Sequence, residues 1–374
     1  MTVYLDCNAT SPMAPEVSAI VSRYLMEEFG NAGSRTHEFG VVAKQAVELA
    51  RQYVADVVGA DKSEVIFTSG ATESNNLAIL GLKVYAELAG KKHIVTTQIE
   101  HKAVLEPVEQ LRNAGFEVTY LKADENGFIT SKALAKSLRP DTLLVSIMHV
   151  NNETGVMLPL GDYCQVLADH DAYFHVDAAQ SFGKYSELLR NSRIDMLSVS
   201  AHKVYGPMGV GALICRRRGF KKPPLKPLMF GGGQEKGLRP GTLPVALIAG
   251  FGEAARLAML NAEFWGHHCS KLKQQAVERL GELGAVVNGS NSVPHVLNFS
   301  IPGLNSETAM VALKGVAAVS NGSACTSSSY TPSHVLTAMG LEEEIIENAI
   351  RMSWCYMTEE IPLDQIIEKL KQYL

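Results

Sequence analysis

The stretch Ser198-Val-Ser-Ala-His-Lys-Val-Tyr-Gly-Pro-Met-Gly-Val-Gly, residues 198 to 211, decides the fold and contains the most informative side chain, Lys203. An apolar strand that starts near Asp195 runs into hydroxyls, a histidine and a lysine, and a glycine-rich turn leads to a second strand from Gly211. Because burying an ammonium group is costly, a lysine at the end of a buried strand indicates a chemical role. An ordinary lysine on a surface turn is the alternative interpretation of this stretch alone.

Length and composition are those of a globular protein with a large core. The 374 residues suffice for two domains, and their net charge of −5 argues against a protein built mainly to hold nucleic acid. The basic cluster at residues 216–222 is interpreted as a solvated strand end. No apolar run approaches the ~20 residues of a membrane span, no signal peptide is visible, and the six cysteines form no CxxC pair. We therefore expect a cytoplasmic protein with reduced thiols, no metal site and no membrane or direct nucleic-acid partner.

Strands and helices alternate along the first 215 residues. Apolar strands are predicted around residues 64–68, 93–99, 116–121, 142–150, 173–177 and 195–200. Residues 38–58 carry apolar side chains at helical spacing. This alternation predicts an α/β fold with a mainly parallel sheet flanked by helices on both faces. A long helix from about Val245 leads into a smaller α/β domain, so we predict a large domain over 14–258 and a small domain over 1–13 and 259–374.

Polar side chains follow the carboxyl ends of these strands, where open α/β sheets bind ligands. Residues 69–72, Ser-Gly-Ala-Thr, open a helix after a strand and indicate an anion site, with a plain helix cap as the alternative. His101 and Asp177 follow two further strands. A satisfied surface histidine and a capping aspartate are the alternatives for these two residues.

The four features together supply what pyridoxal phosphate requires from a protein. These requirements are an amine for a Schiff base, an acid beside the pyridine nitrogen, an anion site for the phosphate and a surface for the ring. The candidates are Lys203 for the amine, Asp177 for the acid, residues 69–72 with Ser200 and His202 for the phosphate, and His101 for the ring. The sequence therefore predicts pyridoxal 5'-phosphate as the cofactor.

Several motifs resemble those of the cysteine desulfurases of the NifS/IscS type, in the class-V aminotransferase family. They are Thr68-Ser-Gly-Ala-Thr-Glu-Ser-Asn-Asn-Leu, Glu100-His-Lys-Ala-Val, Met148-His-Val-Asn-Asn-Glu-Thr-Gly, His175-Val-Asp-Ala-Ala-Gln and Ser200-Ala-His-Lys-Val-Tyr-Gly-Pro. Ser323-Ala-Cys-Thr-Ser matches the long-loop class of that family. The resemblance runs from Leu5 to about Glu360 and implies an aspartate-aminotransferase-type fold (fold type I), as a homodimer with the active site at the subunit boundary.

The resemblance also implies a role for individual residues. Lys203 would form the Schiff base, Asp177 would pair with the pyridine nitrogen, Gln180 would bond the ring hydroxyl oxygen, and His101 would stack on the ring and shuttle a proton. Ala71, Thr72, Ser200 and His202 would hold the phosphate with Thr242 of the partner subunit, and Asn152 would contact both cofactor and substrate. Arg351 would grip the substrate carboxylate, with a strand-end surface charge as its alternative interpretation.

Cys325 lies among small residues in a predicted loop at about 320–331. By composition it could be an inert loop thiol; the resemblance implies instead that it is the nucleophile that takes sulfur from L-cysteine as a persulfide and leaves L-alanine. The sulfur would pass to an acceptor protein of iron–sulfur assembly, transfer RNA thiolation or DNA phosphorothioation. The other five cysteines are interpreted as structural.

Three departures from the housekeeping pattern of this family stand out. Ala32 replaces a usual proline, Cys355-Tyr356 replaces a common Gly-Arg after Arg351, and the tail after the last helix is short. The loop at residues 31–37 and the short tail are more similar to the DndA-like desulfurases that serve DNA phosphorothioation. The rival interpretations are selenocysteine lyase or another β-elimination on this fold, an aminotransferase, which leaves Cys325 unexplained, and a cofactor-binding regulator without turnover.

Overall fold

The computed structural model describes residues 2–321 and 332–374. The strands are β1 (Val3–Tyr4), β2 (Val65–Thr68), β3 (His93–Thr97), β4 (Glu117–Leu121), β5 (Thr142–Met148), β6 (Tyr173–Asp177), β7 (Met196–Ser200), β8 (Gly211–Cys215), β9 (Val286–Val287), β10 (Val296–Ser300), β11 (Ala317–Ala318) and β12 (Ala349–Ser353). The helices are α1 (Pro15–Met26), α2 (Glu38–Val58), α3 (Ala71–Leu80), α4 (Lys83–Ala89), α5 (Lys102–Asn113), α6 (Ser131–Ser137), α7 (Leu160–Val166), α8 (Val245–Gly281), α9 (Ser306–Ala312), α10 (His334–Ala338), α11 (Glu343–Glu347) and α12 (Leu363–Lys371).

The central sheet has seven strands in the order β2-β8-β7-β6-β5-β3-β4. β8 is antiparallel to both of its neighbours, and the remaining strands are parallel to one another. The predicted mainly parallel sheet is therefore confirmed. Because the parallel strands end at one edge, the residues that follow β2, β3, β5, β6 and β7 meet there.

Helices cover both faces of this sheet, and successive strand residues alternate between the two cores. Ile66 and Leu213 pack with α3, α4 and α5 on one face. Phe67 and Ile214 pack with α1, α2, α7 and α8 on the other. The near-continuous apolar strands that the sequence shows are explained by this two-sided burial.

The helix α8 is long and apolar enough, by length and composition, to cross a membrane. It packs against α1 and α2, and more than half of its most apolar window is buried inside the protein. A Cβ placed on Gly252 would lie 2.5 Å from Cα of Ala50, so the two helix backbones approach closely at this point. Its apolar character is therefore accounted for by packing in the core.

A smaller core lies around the remaining sheets. β12, β10 and β9 form an antiparallel sheet, and β1 pairs with β11. Leu5, Phe299 and Trp354 pack there with the second half of α8 and with α12. The division of the chain at residues 14 and 258 stays a prediction.

One expectation from the sequence needs correction, and one helix, α1, was not predicted. Arg216 does not belong to a solvated strand end, because it is 7% exposed and donates hydrogen bonds to the carbonyl oxygens of Leu189 and Asn191 at 2.8 and 2.7 Å. Within the basic cluster, Arg216 therefore has a structural role, because its hydrogen bonds connect β8 to the loop before β7.

Candidate active site

A cavity of about 400 Å³ lies at the carboxyl ends of the parallel strands. Its wall contains the predicted residues Ala71, Thr72, His101, Asn152, Asp177, Gln180, Ser200, His202, Lys203 and Arg351. A volume of this size is typical of sites for small molecules. Over residues 2–321 and 332–374, no group of three or more His, Cys, Asp or Glu side chains is arranged to hold a metal ion.

One end of the cavity is formed by the start of α3. Gly70 is the N-cap residue at a φ of 155°, and within the described chain no side chain caps this helix, which rejects the plain-cap interpretation. A Cβ at Gly211 would lie 2.6 Å from Cα of Gly70, so only glycine at that position of β8 allows this close approach. The Ser200 hydroxyl lies beside the turn, 3.5 Å from where a Cβ of Gly70 would be. Uncapped N–H groups, the helix dipole and a hydroxyl together favour an anion at this end.

His202 and Lys203 follow β7 in one turn of 3-10 helix. The Lys203 ammonium donates to the carbonyl oxygens of Asn8 and of Ala9, the latter at 2.7 Å. Burial, helped by the positive charge of Lys203, lowers the pKa of His202 to about 4, so its ring is neutral at pH 7. His202 Nδ1 lies 3.1 Å from the Thr10 hydroxyl. A neutral histidine and a lysine amine thus lie side by side at the cavity wall.

Asp177 is the last residue of β6 and is 6% exposed. Its Oδ2 accepts a hydrogen bond from Asn75 Nδ2 at 2.7 Å, and its Oδ1 accepts from the backbone N–H of Ala179 at 3.0 Å. Both oxygens of this carboxyl group therefore have a hydrogen-bond donor from the protein. Asn75 was not singled out in the sequence, although it lies in the motif that opens α3.

His101 is the N-cap residue of α5, and its Nδ1 accepts from the backbone N–H of Ala103 at 3.1 Å. Burial lowers the pKa of this ring, and the positive charge of Lys203 adds to the effect against the opposing charge of Asp177. The ring is therefore neutral, and the bond at Nδ1 assigns its proton to Nε2. His101 can donate a proton from Nε2 and take one back at the same atom.

Arg351 lies in β12 and is 2% exposed. Its Nη2 pairs with Asp6 Oδ1 at 2.7 Å and its Nη1 donates to the carbonyl oxygen of Asn152 at 2.9 Å, while Nε has no partner among the described residues. These contacts reject the interpretation as a strand-end surface charge. The side-chain oxygens of Asn152 and Gln180 are also buried without hydrogen-bond partners among those residues.

The turn at residues 6–11 is the main functional element that the sequence analysis missed. Its Asn8 and Ala9 carbonyl oxygens bind Lys203, and its Asp6 carboxylate binds Arg351. Ser11 contacts the segment after β7, since its Oγ donates to the carbonyl oxygen of His202 at 2.7 Å. Only its turn-forming composition was visible in the sequence, since its partners are more than 190 positions away along the chain.

Two predicted residues are not among those that the structure places at this cavity. Thr242 is exposed and lines a separate recess of about 210 Å³ together with Ala32, the residue found in place of a usual proline. Cys325 lies outside the described residues. The role of Thr242 toward a partner subunit and the role of Cys325 stay predictions.

Cys355 and Tyr356 make contacts other than those that hold the Arg351 guanidinium. Tyr356 stacks on Trp265 with ring centroids 4.8 Å apart. Cys355 interacts with the Cys7 thiol, and this hydrogen bond lowers the pKa of Cys355 and raises that of Cys7. The five described cysteines are all buried free thiols. Their interpretation as structural residues agrees with this burial.

The arrangement fits pyridoxal phosphate. The uncapped start of α3 and the Gly70–Gly211 approach leave room and donors for a phosphate, and Lys203 and Asp177 lie on the wall of the same cavity. The unpartnered oxygens of Asn152 and Gln180 lack hydrogen bonds that a bound molecule can supply. The lysine, the carboxylate and the anion cradle are the protein groups that this cofactor requires.

Comparisons with known proteins agree on one family. The family model described as aminotransferase class-V matches residues 3–365. The cysteine desulfurase IscS of Vibrio vulnificus (strain YJ016) is 43% identical over 376 residues, covering 99% of this chain and 92% of that protein. The crystal structure of DndA from Streptomyces lividans is 48% identical, with a TM-score of 0.82 over 94% of this chain and 99% of that chain. A structure described as SspA in complex with cysteine is 39% identical, with a TM-score of 0.82 over 94% of this chain and 98% of that chain.

These matches confirm the resemblance and the predicted fold, because each spans nearly the whole chain. The chain therefore belongs to the class-V aminotransferase family of pyridoxal phosphate enzymes.

Proposed function

We propose that this cysteine desulfurase converts L-cysteine to L-alanine and takes the sulfur onto Cys325 as a persulfide. The observation that carries the proposal is the convergence of the predicted lysine, carboxylate, histidine and arginine on one cavity, in a chain 43% identical to cysteine desulfurase IscS over nearly its whole length. The cysteine in the SspA structure supports the same substrate.

Substrate binding is assigned to Arg351 and Asn152. The Arg351 guanidinium is held by Asp6 and by the Asn152 carbonyl oxygen, and its Nε has no described partner, so it is oriented before the substrate binds. A buried arginine is suited to a bidentate bond with the amino-acid carboxylate. Because the carbonyl oxygens of Asn8 and Ala9 orient the Lys203 amine, the substrate Cα is expected to face Lys203 Nζ.

The bound cofactor supplies a carbonyl carbon to which amines attach and a ring that takes up the electron pair of a broken bond at the substrate. With the cofactor bound, the Lys203 amine would be the base that removes the Cα proton of the substrate. Asp177, held in place by Asn75 Nδ2 and the Ala179 N–H, would accept a hydrogen bond from the ring N–H. Neutral His101 moves protons at Nε2.

Sulfur transfer is assigned to Cys325. Its thiolate attacks the substrate sulfur, so that a sulfur–sulfur bond forms while the bond between the substrate's sulfur and Cβ breaks. The electron pair of the broken bond stays on the carbon fragment, which takes up a proton at Cβ, regains at Cα the proton that Lys203 removed, and leaves as alanine. The sulfur remains on Cys325 as a persulfide, from which an external thiol reductant releases sulfide.

The test is the release of sulfide and alanine from L-cysteine in the presence of a thiol reductant, with wild type compared with Cys325→Ser. We expect equal amounts of the two products from wild type. The variant should retain its cofactor and yield little of either product. Unchanged release in the variant would reject the role of Cys325 and indicate a lyase, of which selenocysteine lyase is the first to examine. Cofactor binding without turnover in wild type would indicate a regulator.

We further propose a homodimer in the cytoplasm that passes sulfur to a protein acceptor. Free thiols at all five described cysteines are expected in a reducing compartment. Exposed apolar side chains at Met26, Phe29 and Phe39 provide surface for a second copy, and Thr242, exposed outside its own cavity, is then available to the partner's phosphate site. The 48% identity to DndA favours an acceptor of DNA phosphorothioation over the other two routes. Transfer of labelled sulfur from the loaded enzyme to purified acceptor proteins of each route tests that choice.

A further inference from the structure

Glu100 precedes His101 and lies behind the cavity wall, fully buried. Its Oε1 accepts hydrogen bonds from the Thr97 hydroxyl at 2.7 Å and from the backbone N–H of Met148 at 2.9 Å. Thr97 ends β3 and Met148 ends β5, so this carboxyl ties together the two segments that carry His101 and Asn152. Neither the sequence motif nor the proposed mechanism gives Glu100 a task.

The environment of Glu100 is poor for a negative charge. Both donors to Oε1 are neutral, and Oε2 is buried without a hydrogen-bond partner among the described residues. An ionised carboxylate in such a site loses its hydration without an equivalent replacement. Burial raises the pKa of Glu100 to about 8, and the charge of Asp177 adds to this effect.

Asp177 and Glu100 are two carboxyl groups that interact electrostatically and differ in their hydrogen-bond donors. Asp177 has a donor on each oxygen and lines the cavity, whereas Glu100 has donors on one oxygen only and does not. When two nearby carboxyls compete for one proton, the less well solvated group keeps it. The other titratable groups that face Glu100 are Tyr163 on α7, and His334 on α10, whose Nε2 lies 2.9 Å from the Glu100 carbonyl oxygen.

We propose that Glu100 is a positioning residue that stays protonated at neutral pH and keeps the His101 and Asn152 segments tied together without adding a second charge near Asp177. The inference rests on the proposed roles of Asp177 and His101 at the site. Ionisation of Glu100 would place a second negative charge beside Asp177 and would raise the proton affinity of the neighbouring groups. A neutral Glu100 avoids that competition, because no second carboxylate charge then lies behind the wall that Asp177 forms.

The first test compares the urea unfolding of wild type and Glu100→Gln from pH 5 to pH 8. The folded wild type keeps one proton that the unfolded chain releases above its ordinary carboxyl pKa. The ratio of the wild-type unfolding constant to that of the variant should therefore rise about tenfold per pH unit between about pH 5 and 7.5. The same change at the exposed Glu87 is the matched control and should leave the ratio flat. A flat ratio for Glu100→Gln would overturn the proposal.

The second test is spectroscopic. Enzyme labelled with ¹³C at glutamate carboxyls should show an infrared band of a protonated carboxylic acid at pH 7 that disappears as the pH is raised past about 8. The Glu100→Gln protein should lack this band, which distinguishes Glu100 from Glu153, the other buried glutamate whose pKa burial raises. Absence of that band at pH 7 would overturn the proposal. Neither test measures turnover, so a failed desulfurase assay and a failed prediction for Glu100 remain distinguishable.

Activity measurements then distinguish the positioning role of Glu100 from an effect of its charge. Glu100→Gln keeps neutrality and an acceptor oxygen, so kcat/KM at pH 7 should stay within about threefold of wild type. Glu100→Ala removes the tie between β3 and β5 and should lower kcat/KM by about tenfold or more. Equal losses in the two variants would contradict the proposed neutrality of Glu100.

Discussion

Asp177 shows how much of an active-site residue's behaviour depends on its neighbours. The sequence identifies it as an acid at the end of a strand, but the orientation of its carboxyl group depends on hydrogen bonds from Asn75 and from the Ala179 N–H. Both donors come from outside β6, and Asn75 lies 102 positions earlier in the chain. Residue type therefore indicated the chemistry, and the donors that sustain it were visible only in the fold.

Asn75→Ala should weaken cofactor binding about 10- to 100-fold, because a hydrogen bond to a charged group contributes about 1.5–3 kcal/mol. The measurement is an absorbance titration of cofactor-free protein with pyridoxal phosphate. Asn76→Ala is the matched control, since that side chain is partly exposed and donates to the Thr72 carbonyl oxygen rather than to Asp177. Similar affinities in the two variants would show that Asn75 does not support Asp177.

At the scale of elements, the long helix α8 joins the two cores of the protein. Its first half packs against α1 and α2 under the central sheet, and its second half packs with the smaller sheets. The sequence predicted this helix from about residue 245 toward 283, and it ends at Gly281. The helical pattern of the sequence could not predict which glycines of α8 contact other helices, because packing against α2 depends on the tertiary structure.

Gly252→Ala should destabilise the protein by about 1–3 kcal/mol, since the new methyl group would overlap Ala50 of α2 and force the helices apart. Gly266→Ala in the same helix meets nothing within 4 Å and should be neutral or stabilising by up to about 1 kcal/mol. Urea unfolding of both variants measures the difference. A Gly252→Ala protein as stable as wild type would mean that α2 and α8 can separate without cost.

For the whole molecule, buried neutral histidines link stability to pH. Burial lowers the pKa of His149 to about 4, of His175 to about 3 and of His202 to about 4. The folded state therefore binds fewer protons than the unfolded state below pH 6.5. These groups contribute stability that is present above about pH 6.5 and is lost as the pH falls toward 4. Burial also lowers the pKa of His93, His101 and His295, whereas it raises the pKa of Glu100 and Glu153, which therefore act with the opposite sign.

The free energy of unfolding should accordingly fall between pH 6.5 and 4. In His149→Phe the slope should decrease by one proton, which is about 1.4 kcal/mol per pH unit. His267→Phe, at an exposed position on α8, is the control and should leave the slope unchanged. Equal slopes in wild type and His149→Phe would show that His149 is charged in the folded protein or is exposed to water.

The proposed dimer makes a prediction about mixed chains. A Lys203→Ala chain and a Thr242→Asp chain should each be inactive alone, the second because a carboxylate would repel the phosphate. If Thr242 serves the partner's site, a hybrid dimer combines both lesions in one site and leaves the other intact. Co-purified hybrids with two different tags should recover about half of the wild-type activity per dimer. Hybrids as inactive as their parents would show that Thr242 does not act across the interface.

The sequence by itself determined the alternation of strands and helices, the residues at the strand ends and the family. These are local properties, since apolar periodicity and short motifs depend on neighbours within a few positions. Lys203, Asp177 and His101 could be named because residue type and strand end together restrict their chemistry.

Tertiary structure alone decided the partners of those residues. The turn at residues 6–11 holds Lys203 and Arg351, the uncapped start of α3 faces the glycine in β8, and Glu100 is buried against β5. Each contact joins segments far apart in the chain, and burial fixes the protonation of His202 and Glu100. Hydrogen-bond partners and solvent exclusion arise from packing, which no local pattern in the sequence contains.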